Sequence, residues 1–432
     1  MSTLPMTDRA HPTTCSASAP ADSAPVSMWA WTLPTISDKS STHLVDAFFG
    51  VLLTFRALPG IPASLPVSDL AGIVFILILL FRAPRYRLGR AELLIPGAIA
   101  MGVYLIAVSS INDVLWTRRL GHIAILLILA VLIGSGRAHL PSMLRAAAFG
   151  ILVNTGLFYA GAAPDTYGGY LTGYLEDKNH AALTIAIIGV TLCAFVRRRY
   201  IIPTLATTGI LIWLTGSRTT LGALAAAGLW ILFRPRMRSL IPRVILGGFI
   251  AFALNILVDD YSQEGAFTDR TGSDALRERI DDAVQIKLNS TPPYGGGLGT
   301  ATVEIDEKTW FFHNAYDGLR QEGGWLLLIV FVSIFVWYGL RPKRQHITNF
   351  TQLAVEAAVI VELVCAWKLG EVFFSTQTVL LLAAILEVYL KDQDPERAQI
   401  STASESTMSR YHRSLARSNS LKERALNTRR QP

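Results

Sequence analysis

Residues 92–111 read ELLIPGAIAMGVYLIAVSSI, a run of 20 residues in which Glu92 is the only charged side chain. An α-helix rises about 1.5 Å per residue, so about 20 apolar residues cross the hydrocarbon core of a bilayer. Similar blocks recur along the 432-residue chain, of which only 16% is charged. Soluble domains carry about 25% charged residues. The sequence therefore predicts an all-α, polytopic membrane protein with one helical body.

About twelve of these apolar blocks are predicted to be transmembrane helices. The first is the weakest of them, because Asp46 and Arg56 interrupt it. The blocks form a transmembrane body over residues 42–390. The flanking residues 1–41 and 391–432 are polar and are predicted to be disordered tails, the second of them basic. The predicted spans lie near 42–59, 66–82, 92–111, 120–136, 142–162, 179–196, 200–216, 219–234, 240–258, 324–341, 350–368 and 371–390.

Positive charges are concentrated in alternate loops between these blocks. Cytoplasmic loops of membrane proteins are enriched in Lys and Arg, so both termini are predicted to be cytoplasmic. The long loop over residues 259–322 then faces outward and is predicted to contain short helices. The same placement accounts for the net charge of +7 without a nucleic-acid partner, and the lipid bilayer is the expected partner. The charged clusters lie at 82–90, 137–145, 197–199, 234–243 and 341–344.

The three cysteines do not form the pattern of a disulfide framework. Cys15 lies in the N-terminal tail, and Cys193 and Cys365 lie inside apolar blocks. No spacing of Cys and His resembles a metal site. We therefore expect neither a metal ion nor a cofactor.

Arg218 is an exception to the charge bias, because it lies in a short outward turn, Thr215–Thr220. A guanidinium near the membrane is costly unless it is paired, and it is well suited to bind phosphate. The neighbouring Ser217 hydroxyl offers a further phosphate donor. The alternative is an interface arginine that extends to the lipid headgroups. Arg118 and Arg119 are open to the same two interpretations.

The outward loop is predicted to contain an amphipathic helix that begins after Ser273 and ends near Leu288. Arg277 flanks its apolar stripe and is predicted to point into the protein, whereas Arg279 points toward solvent. The alternative is a surface helix with solvated charges. The following Gly-rich run, residues 292–300, is interpreted as a tight turn more readily than as a phosphate cradle.

His313 is the only histidine of the outward loop. An unperturbed imidazole titrates near pH 6.5, which suits a general base. If the segment is helical, Asp317 lies one turn further on and is placed to orient the ring. The alternative is a packing or interface histidine beside aromatic residues.

Together these features resemble the O-antigen polymerase and O-antigen ligase superfamily, which includes exopolysaccharide polymerases. The resemblance covers most of the membrane body, but its specific motifs lie within residues 215–325. This sequence departs from the family's pattern at two points. Asp317 stands where the family has an apolar residue, and the Gly that the family has a few residues past Gly324 is absent. The matching residues are Ser217-Arg218, Arg277, Pro292 with Gly295, Gly297 and Gly299, His313-Asn314, Glu322 and Gly324, together with Lys178–Ala182.

The resemblance implies a metal-independent, inverting glycosyltransferase at the periplasmic face of a bacterial inner membrane. Its substrate would be a polyprenyl-diphosphate-linked oligosaccharide, and His313 would take the proton from an acceptor hydroxyl. Further partners would be the flippase and the chain-length or export proteins of the same pathway. The residues expected to bind the diphosphate are Arg218, Arg277, Arg270 and Arg279, and those expected to support the site are Ser217, Asn314 and Glu322.

The acceptor decides between two enzymes, a polymerase that extends a lipid-linked repeat unit and a ligase that transfers the glycan to lipid A core or another acceptor. We favour the polymerase. A transporter is an alternative of another class, because Asp46, Glu356 and Glu362 lie inside apolar blocks and such carboxylates often couple ions. A non-enzymatic assembly subunit is a further alternative.

Overall fold

The computed structural model describes residues 43–56, 67–259, 271–347 and 349–393. These described residues are mostly helical (74%). The helices described are α1 (Leu44–Thr54), α2 (Val67–Leu80), α3 (Leu94–Ile111), α4 (Thr117–Leu132), α5 (Leu140–Tyr159), α6 (Lys178–Leu192), α7 (Ile201–Thr215), α8 (Arg218–Phe233), α9 (Leu240–Asp259), α10 (Thr271–Ser290), α11 (Ala315–Ile334), α12 (Phe350–Lys368) and α13 (Thr376–Gln393).

The predicted outward loop contains the helix α10 and a small β-hairpin, so the chain is not strictly all-α. Strand β1 (Thr302–Ile305) pairs antiparallel with β2 (Lys308–Phe311), with Thr302 opposite Phe311. The predicted helix ending near Leu288 is confirmed as α10. The predicted start after Ser273 is wrong, because α10 already begins at Thr271 and Ser273 lies within its first turn.

Each predicted apolar block overlaps one of the helices α1–α9 and α11–α13. The helices support a membrane protein, but they do not support the count of about twelve spans. α7 and α8, for example, have only 15 and 16 residues, because Gly216 (φ 68°) ends α7 and Ser217 begins α8. Among the described residues, five helical stretches are long and apolar enough to cross a membrane: Gly89–Ile111, Thr117–Arg137, Leu140–Tyr159, Ala315–Leu340 and Phe350–Lys368.

α6 and α12 form the centre of the bundle. Every residue of α6 from Ala181 to Leu192 is buried, and 83% of an 18-residue apolar stretch of α12 is buried as well. α3, by contrast, lies at the periphery, because only 17% of an 18-residue stretch within Gly89–Ile111 is buried. Its exposed side chains include Ile99 and Val103. Such an apolar surface is expected where a helix faces lipid rather than water.

The arginine-rich loops meet at one end of the bundle, which we call the arginine end. Arg137 donates to the carbonyl of Arg82 at 2.7 Å, which joins two of these loops. Arg234 donates to the carbonyl of Arg344 at 3.1 Å, which joins two others. α10, the hairpin and the start of α11 lie at the opposite end, which we call the cleft end. The alternation of charge along the sequence thus corresponds to a physical separation.

Two of the three carboxylates in apolar blocks are paired with arginine. Arg82 donates to Asp46, and Arg234 Nε lies 2.9 Å from Glu356 Oε2 with both side chains fully buried. Glu362 instead accepts from the Thr378 hydroxyl at 2.6 Å. The ion pairs explain how Asp46 and Glu356 are tolerated in the interior, since a buried charge needs a partner.

Candidate functional site

The Gly-rich run, residues 292–300, is a turn that packs against α11. Gly296 N donates to Gln321 O at 2.6 Å, and Gly297 N donates to Glu322 O at 3.1 Å. Leu298 N donates to Ser109 Oγ of α3 at 2.9 Å. These N–H groups therefore bind protein acceptors and are not available to cradle a phosphate. The prediction of a tight turn is confirmed.

α11 is broken where the turn meets it. Gly323 (φ −135°) and Gly324 (φ 64°) leave the helical conformation. Trp325 N donates to Pro293 O at 3.1 Å, across the break. A Cβ on Gly324 would lie 2.1 Å from Pro293 O. The break therefore provides the space and the free donor that fix the turn.

Glu322 lies beneath this turn and is almost fully buried. Its Oε1 accepts from Gly299 N at 3.0 Å and lies 3.2 Å from Arg119 Nε. Arg119 Nη1 also lies 2.7 Å from Glu371. Glu322 therefore supports the turn, as expected of a supporting residue. Arg119 is committed to two carboxylates, which removes it as a candidate for phosphate binding.

His313 lies in a cleft of about 140 Å³ between α10, α11 and the end of α12. Its side chain is 31% exposed, and Nδ1 lies 3.8 Å from Asp281 Oδ1 of α10. Nδ1 has no hydrogen-bond partner among the described residues. Asp317 also lines this cleft, but the carboxylate recorded beside the ring is that of Asp281. The imidazole side chain is thus partly accessible, and the Asp281 carboxylate lies beside it.

Arg277 lines the same cleft, but its side chain is exposed rather than turned into the protein interior as the sequence predicted. The apolar stripe of α10 packs on the hairpin through Ile280, Val284 and Leu288, which are all buried. Lys287 fixes the same helix to β1, because its Nζ donates to Thr302 O at 2.6 Å, and burial lowers the pKa of this ammonium group.

Of the other two arginines proposed from the predicted outward loop, only Arg279 lies among the described residues, and it does not line the cleft. Arg279 is exposed and forms an ion pair with Asp306 at 3.0 Å, which confirms its outward direction. This geometry argues against a role of Arg279 in diphosphate binding, because its guanidinium lies over the hairpin. Arg270 lies outside the described residues.

Arg218 is half-buried at the first position of α8, at the cleft end. Ser217 begins the helix, and its Oγ lies 3.0 Å from Thr220 Oγ1. Thr220 in turn lies 4.0 Å from the Sγ of Cys365, one turn before Lys368 on α12. The Ser217-Arg218 pair therefore lies beside the end of α12 that borders the His313 cleft. Ser217 is engaged with Thr220.

Asn314 is the N-cap of α11. Its Oδ1 accepts from Tyr316 N at 3.0 Å and from Asp317 N at 3.4 Å. Side-chain caps of this kind satisfy N–H groups that lack an intrahelical acceptor. Asn314 therefore fixes the position of His313, its neighbour in the chain, at the start of the helix. Its expected supporting role is accounted for by this cap.

The stretch Lys178–Ala182 opens α6 and does not line the cleft. Asp177 caps the helix, and the Lys178 ammonium lies 5.4 Å from the ring centre of Tyr167. Tyr167 donates to Asp177, and burial together with this carboxylate raises the pKa of the phenol to about 12. The stretch is thus part of a separate polar cluster that holds the start of α6.

Several residues of the cleft, Gln285 among them, were not predicted as site residues from the sequence. Asp281 lies four positions after Arg277 on α10, so a helical wheel would have placed both on one face. Lys368 is the last residue of α12. Like Arg218, it is a positive charge next to a loop predicted to face outward, and so an exception to the charge bias. Nothing in the sequence marked Trp367 as a residue of the cleft. The cleft is therefore richer in charge than the sequence alone suggested.

Within the described ranges, no group of three or more His, Cys, Asp or Glu side chains is arranged to hold a metal ion. No family model and no curated protein matches this chain. The chemistry of the cleft is therefore argued from its residues.

Proposed function

We propose that this chain is a membrane glycosyltransferase that polymerises polyprenyl-diphosphate-linked oligosaccharide repeat units. The observation that carries the proposal is the cleft in which His313, Arg277 and Lys368 come together. A base and two cations in one cleft suit a reaction in which a hydroxyl loses a proton and a diphosphate departs.

His313 takes the proton of the acceptor hydroxyl as the oxygen attacks the anomeric carbon. The bond from that carbon to the diphosphate oxygen breaks on the opposite side, so the configuration inverts. The diphosphate keeps the electron pair. Asp281, 3.8 Å from Nδ1, stabilises the imidazolium that forms.

Arg277 and Lys368 stabilise the negative charge of the departing diphosphate. Arg218 lies at the same end of α12 and supplies a third cation. Preorganised cations contribute most where charge develops, and no divalent metal is invoked in this scheme.

An apolar groove beside the cleft supports a lipid-linked substrate. It has a volume of about 380 Å³ and lies between α8, α9, α11 and α12. Its lining includes Ile250 and Val364, and it shares Trp367 with the His313 cleft. A prenyl chain in the groove would present its diphosphate at the cleft.

The proposed membrane arrangement has the arginine end in the cytoplasm and the cleft end in the periplasm of a bacterial inner membrane. All twelve apolar helices then cross or enter the bilayer, and both termini are cytoplasmic. The flippase and the chain-length or export proteins of the pathway would act on the same lipid-linked glycan.

A ligase remains the alternative, since it needs the same donor chemistry and differs in its acceptor. The transporter alternative loses much of its support, because Asp46 and Glu356 are neutralised by Arg82 and Arg234. The carboxylates that suggested ion coupling are thus accounted for as partners of buried arginines.

The test is the glycan profile of cells in which His313→Ala replaces the native gene, at matched membrane levels of the protein. Loss of long polymer with single lipid-linked units retained is the expected result. His346→Ala is the matched control, because His346 is exposed at the arginine end and should leave the profile unchanged. Lipid-linked polymer that never reaches its acceptor would indicate a ligase. A wild-type profile from a normally expressed His313→Ala protein would contradict the catalytic role.

A further inference from the structure

A second polar pocket lies at the arginine end, remote from the His313 cleft. It has a volume of about 380 Å³ and lies between the segment that follows α11 and the last turn of α13. Its charged and aromatic lining includes Arg341, Lys343, Arg344, Asp392, Trp337 and Tyr389. The pocket takes no part in the chemistry proposed above.

Arg341 is the buried cation of this pocket. The residue is only 8% exposed, and its backbone is left-handed (φ 47°), a conformation that costs a non-glycine residue energy. Its Nε donates to Tyr338 O at 3.2 Å, and Nη1 donates to Asp392 at 3.2 Å. Nη2 is buried and has no hydrogen-bond partner among the described residues. A buried guanidinium nitrogen without an acceptor is costly, so a ligand that offers an acceptor to Nη2 would be stabilised here.

The lining carries more positive than negative charge. Among the described residues, Arg341, Lys343 and Arg344 contribute three cations to the lining, and Asp392 contributes its one carboxylate. Arg341 and Arg344 both donate to the same oxygen of that carboxylate. Burial and the neighbouring Arg344 lower the pKa of the Arg341 guanidinium, whereas Asp392 raises it. An added anion would relieve the repulsion among the three cations.

The segment that bears these cations is held rigidly by two other arginines. Arg234 Nη2 donates to Arg344 O at 3.1 Å. Arg243 Nη1 donates to Pro342 O at 3.1 Å, and its Nη2 donates to Gln345 O at 3.2 Å. These bonds engage the backbone carbonyls of the segment and so hold its cationic side chains at the pocket. The site is therefore preformed.

We infer that this pocket binds a phosphate group, and that the phosphate belongs to the headgroup of an anionic phospholipid in the adjacent leaflet. A guanidinium with a free nitrogen, flanked by a second arginine and a lysine, suits phosphate oxygens. Trp337 is half-exposed beside Lys343, at 4.8 Å from its Nζ, and such aromatic residues favour the headgroup level of a membrane. The inference is independent of the glycosyltransferase proposal.

The experiment compares lipid retention by native mass spectrometry of the full-length protein from nanodiscs of phosphatidylcholine with and without phosphatidylglycerol. The variant is Lys343→Gln with Arg344→Gln, which removes two cations and keeps Arg341 and the backbone bonds. Each cation near the membrane contributes about fivefold, so we expect roughly 25-fold weaker retention of phosphatidylglycerol. The control is Arg197→Gln with Arg198→Gln, an equal loss of charge on exposed residues of the same end.

Equal weakening in the variant and the control would overturn the inference, since a diffuse surface field would then explain the lipid preference. Equal retention of both lipids by the unmodified protein would also overturn it. Inorganic phosphate is the competitor that separates the two phosphate sources. Displacement of phosphatidylglycerol by phosphate supports a shared site. Phosphate binding that the variant abolishes, without any lipid preference, would reject the lipid headgroup as the source.

Discussion

Arg234 forms its ion pair with Glu356 at a position where its side chain has no exposure to solvent. Besides the bond to Glu356, its Nη1 donates to Met237 O at 3.2 Å, and its Nη2 reaches the Arg344 carbonyl. Glu356 in turn accepts from Trp230 at 3.2 Å and from Gln352 at 2.9 Å. All these groups need one another, because a buried ion left without its partner retains its full desolvation penalty.

Glu356→Gln is expected to destabilise the protein strongly, because the amide cannot neutralise Arg234. Loss of one partner from a buried pair costs about 3–5 kcal/mol. The matched control is Asp306→Asn, which breaks the exposed pair with Arg279 and should cost less than about 1 kcal/mol. The measurement is the thermal unfolding midpoint in detergent. Equal midpoints for both variants would contradict the assigned role of Glu356.

Single residues of the site were partly predictable from the sequence. The outward direction of Arg279 follows from the apolar stripe of α10, which is a local pattern, whereas Arg277 lines the cleft with an exposed side chain. The pairing of Arg119 with Glu322 is not local, because it joins residues of α4 and α11. The sequence therefore left Arg119 open as a phosphate ligand, a role that the structure does not favour.

At the scale of the elements, the break in α11 and the turn over residues 292–300 form one unit. The helix gives up its regular bonding at Gly323 and Gly324, and the turn contributes Pro293 O as acceptor to Trp325 N. Tyr104 of α3 donates to Tyr294 O at 2.9 Å and adds a link to a third element. The unit fixes the start of α11 and with it the cleft.

Gly324→Ala is expected to undock the turn. The left-handed backbone alone costs an alanine about 1–2 kcal/mol, and the new Cβ would also overlap Pro293 O. The control is Gly318→Ala in the regular part of α11, where the nearest atom is 3.8 Å away and alanine gains up to about 1 kcal/mol of helix propensity. Limited proteolysis of the turn is the measurement. Resistance equal to that of the unmodified protein would refute the docking role of Gly324.

The turn itself was predictable from its glycines and prolines, but its partner was not. A Gly-rich run is compatible with a phosphate cradle or with a close approach of two backbones, and the residue types are the same in both cases. The two cases differ only in which acceptors bind the N–H groups of the run, and here the acceptors are Gln321, Glu322 and Ser109. The glycine pattern alone carries no information about which acceptor the fold supplies.

For the whole molecule, the segregation of arginines to one end is the feature with the widest consequence. The helices alternate in direction, so loops of like charge that are far apart in sequence meet in space. Cys193 and Cys365 are buried. A chain with Cys15→Ser therefore offers a low background for labelling of cysteines placed on its surface.

In that background, Lys308→Cys on the hairpin is expected to react with a membrane-impermeant maleimide in intact cells with a permeable outer membrane. Lys343→Cys at the arginine end is expected to react only after the inner membrane is disrupted. Both positions are exposed, so accessibility alone does not separate them. The reverse pattern, or equal labelling in intact cells, would refute the proposed orientation.

The positions of the helices could be predicted from the sequence far better than the number of complete spans. Apolar runs determine where helices form, and each of the twelve blocks contains one. Whether a helix faces lipid or is enclosed by others depends on packing. α6 is enclosed and short, with 15 residues, whereas α3, which is also predominantly apolar, is largely exposed and has 18. Hydropathy alone does not distinguish these two environments.

The bond between Leu298 and Ser109 has a consequence for the order of synthesis. The two residues are 189 positions apart, so α3 is translated and inserted long before its partner leaves the ribosome. The turn also needs Gln321 and Glu322, which come after the hairpin in the chain. The nascent protein therefore completes this site only after α11 has emerged. Until then Ser109 lacks this partner. Its hydroxyl donates to Leu105 O, a bond within α3 that does not depend on the turn.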